Sequence, residues 1–147
     1  ASVKFGPEGA RGLAAGTRPD RWGLGGKMAD FVESANAQSL VCLQIEDAEA
    51  LPHVDDILTV PGVDVFFIGP SDLSQSMGHP GNPKAPPVAA AIDETLAKIR
   101  TAGKAPGMPA TTDALDAVRE AGCLYIYTHL PKLLGAGTKD YLAKAHG

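Results

Sequence analysis

Two carboxylates, Glu46 and Asp72, each follow a short apolar run, and the carboxamide of Gln44 stands two positions before the first of them. Carboxylate oxygens are hard ligands. Two of them leave most of an octahedral shell open to water and substrate oxygens, which suits Mg²⁺ or Mn²⁺, with Co²⁺ as a further candidate. If the first run is a strand, Gln44 and Glu46 share a face, because strand side chains alternate. The second run ends Gly69-Pro70-Ser71-Asp72-Leu73-Ser74. A Gly-Pro stop followed by a helical turn leaves the amides of Ser71, Asp72 and Leu73 without partners, ready to receive a carboxylate or phosphate. A cation beside such a turn is the equipment for holding a 2-oxo acid: the metal takes the keto oxygen and the amides take the carboxylate. Plainer readings stay open for both acids. Asp72 also fits a helix N-cap, and Glu46 fits a first-turn acid favoured by the helix dipole.

The elements that must hold these residues follow from periodicity. Residues 1–26 are rich in Gly, Arg and Pro with no stable period and read as a long loop, with Trp22 as a packing contact inside it. Lys27–Gln38 has helical spacing at Met28, Phe31, Val32 and Ala35. Leu40–Ile45 is a first strand, followed by a helix to about Leu58. Val63–Ile68 is a second strand, cut off by Gly69-Pro70. Pro86 and Pro87 open a helix over Val88–Thr101, where a missing N–H costs nothing, and Gly103 ends it. Ala105–Ala110 is a third strand, Asp113–Ala121 a helix with Thr112 as its cap, Leu124–Thr128 a fourth strand, and Leu130–Ala145 a last helix.

Four apolar strands alternating with amphipathic helices imply an α/β fold with a parallel sheet, equal to about the last four βα units of a (β/α)8 barrel of TIM type. A small open doubly wound sheet is the rival, but its glycine fingerprint follows none of the strands. In either fold ligands bind at the carboxyl ends of strands, where Glu46 and Asp72 fall. Neighbouring strands lie about 4.8 Å apart, so the two acids can share one cation. Lys104 stands at the start of its strand, the wrong end for Schiff-base chemistry. Half a barrel would leave an inner strand face in need of cover, with Leu43, Phe66, Phe67, Tyr125 and Tyr127 as its apolar residues.

Composition excludes several classes. The 147 residues suit a single domain, 1–147, with 27–147 carrying the βα units. A net charge of -4 offers no basic surface for nucleic acid. No apolar run approaches the roughly 20 residues of a membrane span, and the opening residues do not read as a secretory leader. Cys42 and Cys123 each sit in an apolar run and read as buried free thiols, pointing to a reducing cytoplasm.

Gln44-Ile45-Glu46, the stretch Phe67-Ile68-Gly69-Pro70-Ser71-Asp72-Leu73-Ser74, Ser76-Met77-Gly78 and the Pro80-Gly81 turn resemble the HpcH/HpaI aldolase family. The interval from Glu46 to Asp72 fits that family too, as do Gly9-Ala10-Arg11-Gly12 and Ala35-Asn36 upstream. The resemblance implies a (β/α)8 barrel, usually a homo-oligomer (a hexamer) with its last helix exchanged between subunits. It implies a metal-dependent class II aldolase that cleaves 4-hydroxy-2-oxo acids to pyruvate and an aldehyde. Glu46 and Asp72 match the metal ligands, Gln44 a polar catalytic-site residue, and the amides of Ser71 and Asp72 the receivers of the pyruvate carboxylate. The family's polarising Arg and His–Asp base pair belong to the first half of the barrel, and Arg11, Arg18 and Arg21 do not match them. Tyr127-Thr128-His129-Leu130-Pro131 departs from the small, Asp-containing strand end of relatives, with His129 either lining the site or an ordinary loop residue. A citryl- or malyl-CoA-type lyase, and a half-barrel that binds metal but needs its other half, are the alternatives.

Overall fold

Val65–Ile68 is buried at every position, as a strand covered on both faces must be. The computed structural model of the protein describes residues 2–146, so Ala1 and Gly147, the ends of the expected domain, lie outside the described residues. By contact the chain divides into two compact units, Ala1–Val41 and Cys42–Gly147.

The second unit holds a parallel sheet of β1 (Cys42–Ile45), β2 (Val65–Ile68), β3 (Ala105–Pro109) and β4 (Tyr125–Tyr127), in that spatial order. A 3-10 turn, Ala48–His53, runs into α2 (Val54–Leu58). Pro52 lies inside the turn, which is why the single helix expected there is two pieces. α3 (Pro70–Ser76) and α4 (Pro86–Thr101) connect β2 to β3, and α5 (Leu115–Glu120) connects β3 to β4. Pro86 and Pro87 do open α4, and Gly103, at φ +68, lets Lys104 turn its amide back to the Ile99 carbonyl at 3.1 Å. Thr112 is not a cap: a 3-10 turn, Thr112–Ala114, precedes α5, and the capping position falls on Thr111 without a side-chain bond. α6 (Leu130–His146) is the last described element. Among the described residues no helix is long and apolar enough to cross a membrane.

Register separates the two faces of the sheet. Leu43 pairs with Phe66 and Ile45 with Ile68, and this row meets Val54, Leu58, Leu73, Val88, Leu96 and Ile99 from the helices. Each such side chain contributes about 1.5–3 kcal/mol on burial. Gln44, Phe67, Gly107 and Tyr125 form a row on the opposite face. Leu43 and Phe66 therefore do not belong to the inner face, contrary to expectation: both are packed under helices. Phe67 is on that face but is covered by its own neighbours. The Tyr127 ring stacks on it at 5.3 Å and the Tyr125 ring meets it edge-on at 6.1 Å. Gly107 makes this possible, since a Cβ there would lie 2.8 Å from Phe67 Cδ2 and 2.9 Å from the Tyr125 carbonyl. Cys42, on the same face of the edge strand, is exposed and not buried; Cys123 is buried, and both are free. Burial pushes the Cys123 thiol pKa up, with Arg100 partly opposing it.

The first unit is more ordered than a loop. Phe5 and Arg11 form a parallel bridge, and a 3-10 helix spans Arg18–Gly23. Asn36, in α1 (Met28–Gln38), accepts from the Phe5 amide at 2.8 Å and donates to its carbonyl at 3.0 Å. This pairing closes 31 residues of chain and buries Phe5 against Phe31, with the Arg11 guanidinium 4.5 Å above its ring. Trp22 is not a packing contact; it is 67% exposed and sits at φ +60.

Candidate functional site

Ile45 points into the core at 1% exposure, so alternation turns its neighbours Gln44 and Glu46 the other way. There the Gln44 Nε2 donates to Glu46 Oε2. The Gly69 amide donates to the Ile45 carbonyl at 3.0 Å, extending the β1–β2 pairing by one residue. Gly69 thus comes beside the Gln44–Glu46 pair. A Cβ on Gly69 would lie 2.8 Å from Gln44 Nε2, 2.9 Å from Glu46 Oε2 and 3.0 Å from Glu46 Cβ. Its φ of -96 suits any residue, so the glycine serves close approach and not backbone freedom.

α3 begins at once. Gly69 is its N-cap and makes no side-chain cap bond, Pro70 fills the first position, and Asp72 sits in the first turn. Asp72 is therefore not the cap. Leu73 donates its amide to the Gly69 carbonyl at 3.0 Å, closing the first helical bond. Of the three amides expected to be free, Leu73 is thereby committed, and Ser71 and Asp72 remain at positions where a helix offers no carbonyl. Leu73 and Ser74 are buried, and the Ser74 hydroxyl holds the Ser71 carbonyl at 2.7 Å. Ser71 and Asp72 are exposed.

Glu46 is not the acid that starts the next turn either. Asp47 is: its Oδ1 accepts from the Glu49 amide at 3.0 Å. The same oxygen accepts from the Ser76 hydroxyl at 2.9 Å, and Ser76 Oγ accepts from the Ala48 amide at 2.8 Å. The Glu49 amide first, and Ser76 second, hold the Asp47 carboxyl below the usual carboxylate range. Sequence reading missed this Asp47–Ser76 link. The signal for half of it was present, since Asp two residues before the first free amide of a turn is a capping pattern; nothing local marks Ser76.

Other candidates stand apart. The exposed His129 ring meets Tyr127 edge-on at 5.2 Å and extends the aromatic stack. His79 closes the end of α3 through its backbone, donating to the Ser74 carbonyl at 2.7 Å. Lys104 directly precedes β3, at the amino end of the sheet. Arg11, Arg18 and Arg21 belong to the first unit. Among the described residues no group of three or more His, Cys, Asp or Glu gathers that could hold a metal. Glu46, Asp72 and Gln44 offer two carboxylates and a carboxamide just beyond or within the carboxyl ends of β1 and β2. Such an oxygen set suits a hard divalent cation that keeps water and substrate in its remaining positions, and Gly69, lacking a side chain, lets Gln44 and Glu46 lie directly against the backbone.

A model of the HpcH/HpaI aldolase/citrate lyase family matches residues 2–126. The 4-hydroxy-2-oxo-heptane-1,7-dioate aldolase of Shigella sonnei is 38% identical over 148 residues, covering 99% of this chain and 55% of its own length. That of Klebsiella pneumoniae is 40% identical over 144 residues, covering 97% of this chain and 53% of its own. The crystal structure of an HpcH/HpaI aldolase/citrate lyase family protein from Burkholderia cenocepacia J2315 superposes with a TM-score of 0.85 at 34% identity, over 99% of this chain and 58% of that one. The chain spans about half the length of the curated relatives it matches.

Proposed function

Because the chain belongs to the HpcH/HpaI aldolase/citrate lyase family, we propose that it carries the metal and 2-oxo-acid site of a class II aldolase, an aldehyde-lyase cleaving 4-hydroxy-2-oxo acids to pyruvate and an aldehyde. The observation that carries this reading is the close approach of Gly69 to Gln44 and Glu46, one helical turn before Asp72. Bare backbone at a strand's carboxyl end, beside a carboxylate and a carboxamide, lets a small substrate approach closely and offers its cation an oxygen ligand.

In this reading Glu46 and Asp72 hold one Mg²⁺ or Mn²⁺, with Co²⁺ as an alternative. The bound cation supplies Lewis acidity at the substrate's keto oxygen as the carbon–carbon bond breaks. Gln44 restrains Glu46 through its Nε2. The rest of its carboxamide, a second N–H and a carbonyl, remains for the substrate's polar groups. Ser71 and Asp72 direct their amides at the pyruvate carboxylate, assisted by the positive end of α3. Exposed apolar residues on α6, among them Leu133, Leu134 and Leu142, support a homo-oligomer, and the free thiols of Cys42 and Cys123 fit a reducing cytoplasm.

Calorimetric titration of Mn²⁺ into wild type and Glu46→Ala tests the assignment. Binding lost in the variant is the expected result; equal affinity in both removes the site.

A further inference from the structure

We propose that Asp47 and Ser76 act as a clamp that sets the separation of Glu46 and Asp72, making them positioning residues for the cation; the inference rests on the metal reading above. Asp47 immediately follows Glu46 in the chain. Ser76 follows Asp72 by one helical turn, so the two share a face of α3. A serine hydroxyl has one donor and two acceptor sites, and Ser76 uses both kinds toward the same partner segment. It donates to Asp47 Oδ1 at 2.9 Å and accepts from the Ala48 amide at 2.8 Å. Asp47 is held from its own side by the Glu49 amide at 3.0 Å.

The two carboxylates are thereby tied in two places. At one end the Gly69 amide meets the Ile45 carbonyl at 3.0 Å, joining the strand ends just before the ligands. At the other, Ser76 joins the segment just after Glu46 to the last residue of the helix that carries Asp72. α3 has only 7 residues, so fixing its final residue fixes the tilt of its first turn. Leu73 anchors the buried side of α3 in the core beside Ile45, and the clamp adds the polar tie on the side that carries Asp72. A metal that demands near-ideal octahedral geometry is sensitive to displacement of that carboxylate.

The test compares Mn²⁺ binding by wild type, Ser76→Ala, Ser76→Thr and Glu46→Ala, with thermal melts in the absence and presence of Mn²⁺. Groups that orient metal ligands typically contribute 10–100-fold in affinity, so Ser76→Ala is expected to bind Mn²⁺ about tenfold more weakly or worse. Ser76→Thr, which keeps the hydroxyl, restores affinity. The metal-free melting temperature of Ser76→Ala stays near wild type, while the rise produced by a fixed Mn²⁺ concentration shrinks, because that rise reports binding to the folded state. If Ser76→Ala does not fold, Asp47→Asn takes its place, since Asn still serves as a cap but is a weaker acceptor for Ser76. Wild-type affinity in Ser76→Ala, with Glu46→Ala inactive in binding, overturns the clamp and leaves the metal site standing. A fall in metal-free stability with an unchanged Mn²⁺-induced rise also overturns it, reducing the pair to a structural staple. Wild-type affinity in Glu46→Ala removes the metal site and the clamp with it.

Discussion

Glu46 and Gly69 face each other across the ends of β1 and β2 with no room for a methyl group between them: a Cβ on Gly69 would stand 2.9 Å from Glu46 Oε2 and 3.0 Å from Glu46 Cβ. Two of the three close atoms are the mobile tips of Gln44 and Glu46, and the backbone at Gly69 lies at an ordinary φ of -96. Gly69→Ala is therefore expected to fold and to displace the very groups proposed to bind. Mn²⁺ affinity should drop by tenfold or more, against a loss of stability near 1 kcal/mol. Titration and urea denaturation on one preparation separate the two effects. Unchanged affinity would show that Glu46 works from another position.

The anion-receiving amide at Ser71 is removed by Ser71→Pro, which spares both carboxylates. A Pro-Pro helix start is compatible with this chain, because α4 already opens on Pro86-Pro87. Oxalate, which resembles the planar enolate of pyruvate, should bind the Mn²⁺-loaded variant more weakly than wild type. The same oxalate affinity in a folded variant would count against the amide's role.

Gly107 meets a harder neighbour than Gly69 does. A Cβ there would lie 2.9 Å from the Tyr125 carbonyl, which belongs to the backbone of the next strand and cannot rotate away. Gly107→Ala should cost about 1–3 kcal/mol and unstack Tyr127 from Phe67. A lower urea midpoint together with a weakened near-ultraviolet dichroism band is expected, and neither change would mean that β3 and β4 adjust freely.

Lys98 on α4 lies 3.0 Å from Asp55 on α2 and 3.4 Å from Glu94. Hydrogen bonding to Asp55, ahead of the lesser pull of Glu94, raises its pKa. A raised folded pKa means stabilisation that is complete below the ordinary lysine value of about 10.4 and fades as pH climbs through and above it. Lys98→Met should melt slightly below wild type at neutral pH, with the gap closing in the alkaline range and at high salt. A gap that neither alkaline pH nor high salt narrows would assign the effect to packing of the lysine stem.

What could be read from the sequence and what could not divide along a physical line. β2 was legible because a strand buried on both faces is a continuous apolar run, and Val65–Ile68 is one. The same continuity hid its orientation. With phenylalanine at both 66 and 67, alternation carries no sign, and only the register with Leu43 and Gln44 assigns Phe66 to the helices and Phe67 to the open face. Glu46 does directly follow β1, and Asp72 lies in the first turn of the helix after β2. Which of the adjacent acids Glu46 and Asp47 would cap the following turn depended on where that turn begins, a matter of one residue. The Leu73 amide was misjudged for a similar reason, since one hydrogen bond to Gly69 decides it. Residues 1–26 showed no period because their order comes from a bridge, a short 3-10 helix and the long-range pairing of Phe5 with Asn36, none of which leaves a repeating apolar pattern.

α6 carries a consequence for how the molecule comes apart. Its 17 residues include none that is buried, and Gly135 and Gly137 lie within it, each costing about 1 kcal/mol relative to alanine. Its local support includes the Lys144–Asp140 pair at 2.7 Å and the Thr138 hydroxyl, which donates to the Leu134 carbonyl at 2.7 Å. A helix that buries none of its side chains is near the margin of persistence in water. In the single chain this helix is therefore expected to open ahead of the sheet. Where no second copy covers it, its amide protons are expected to exchange and its peptide bonds to yield to proteases while the four strands remain paired. A melting temperature read from total helicity will blend two transitions, whereas one read from the aromatic stack of Phe67 and Tyr127 will report the sheet alone.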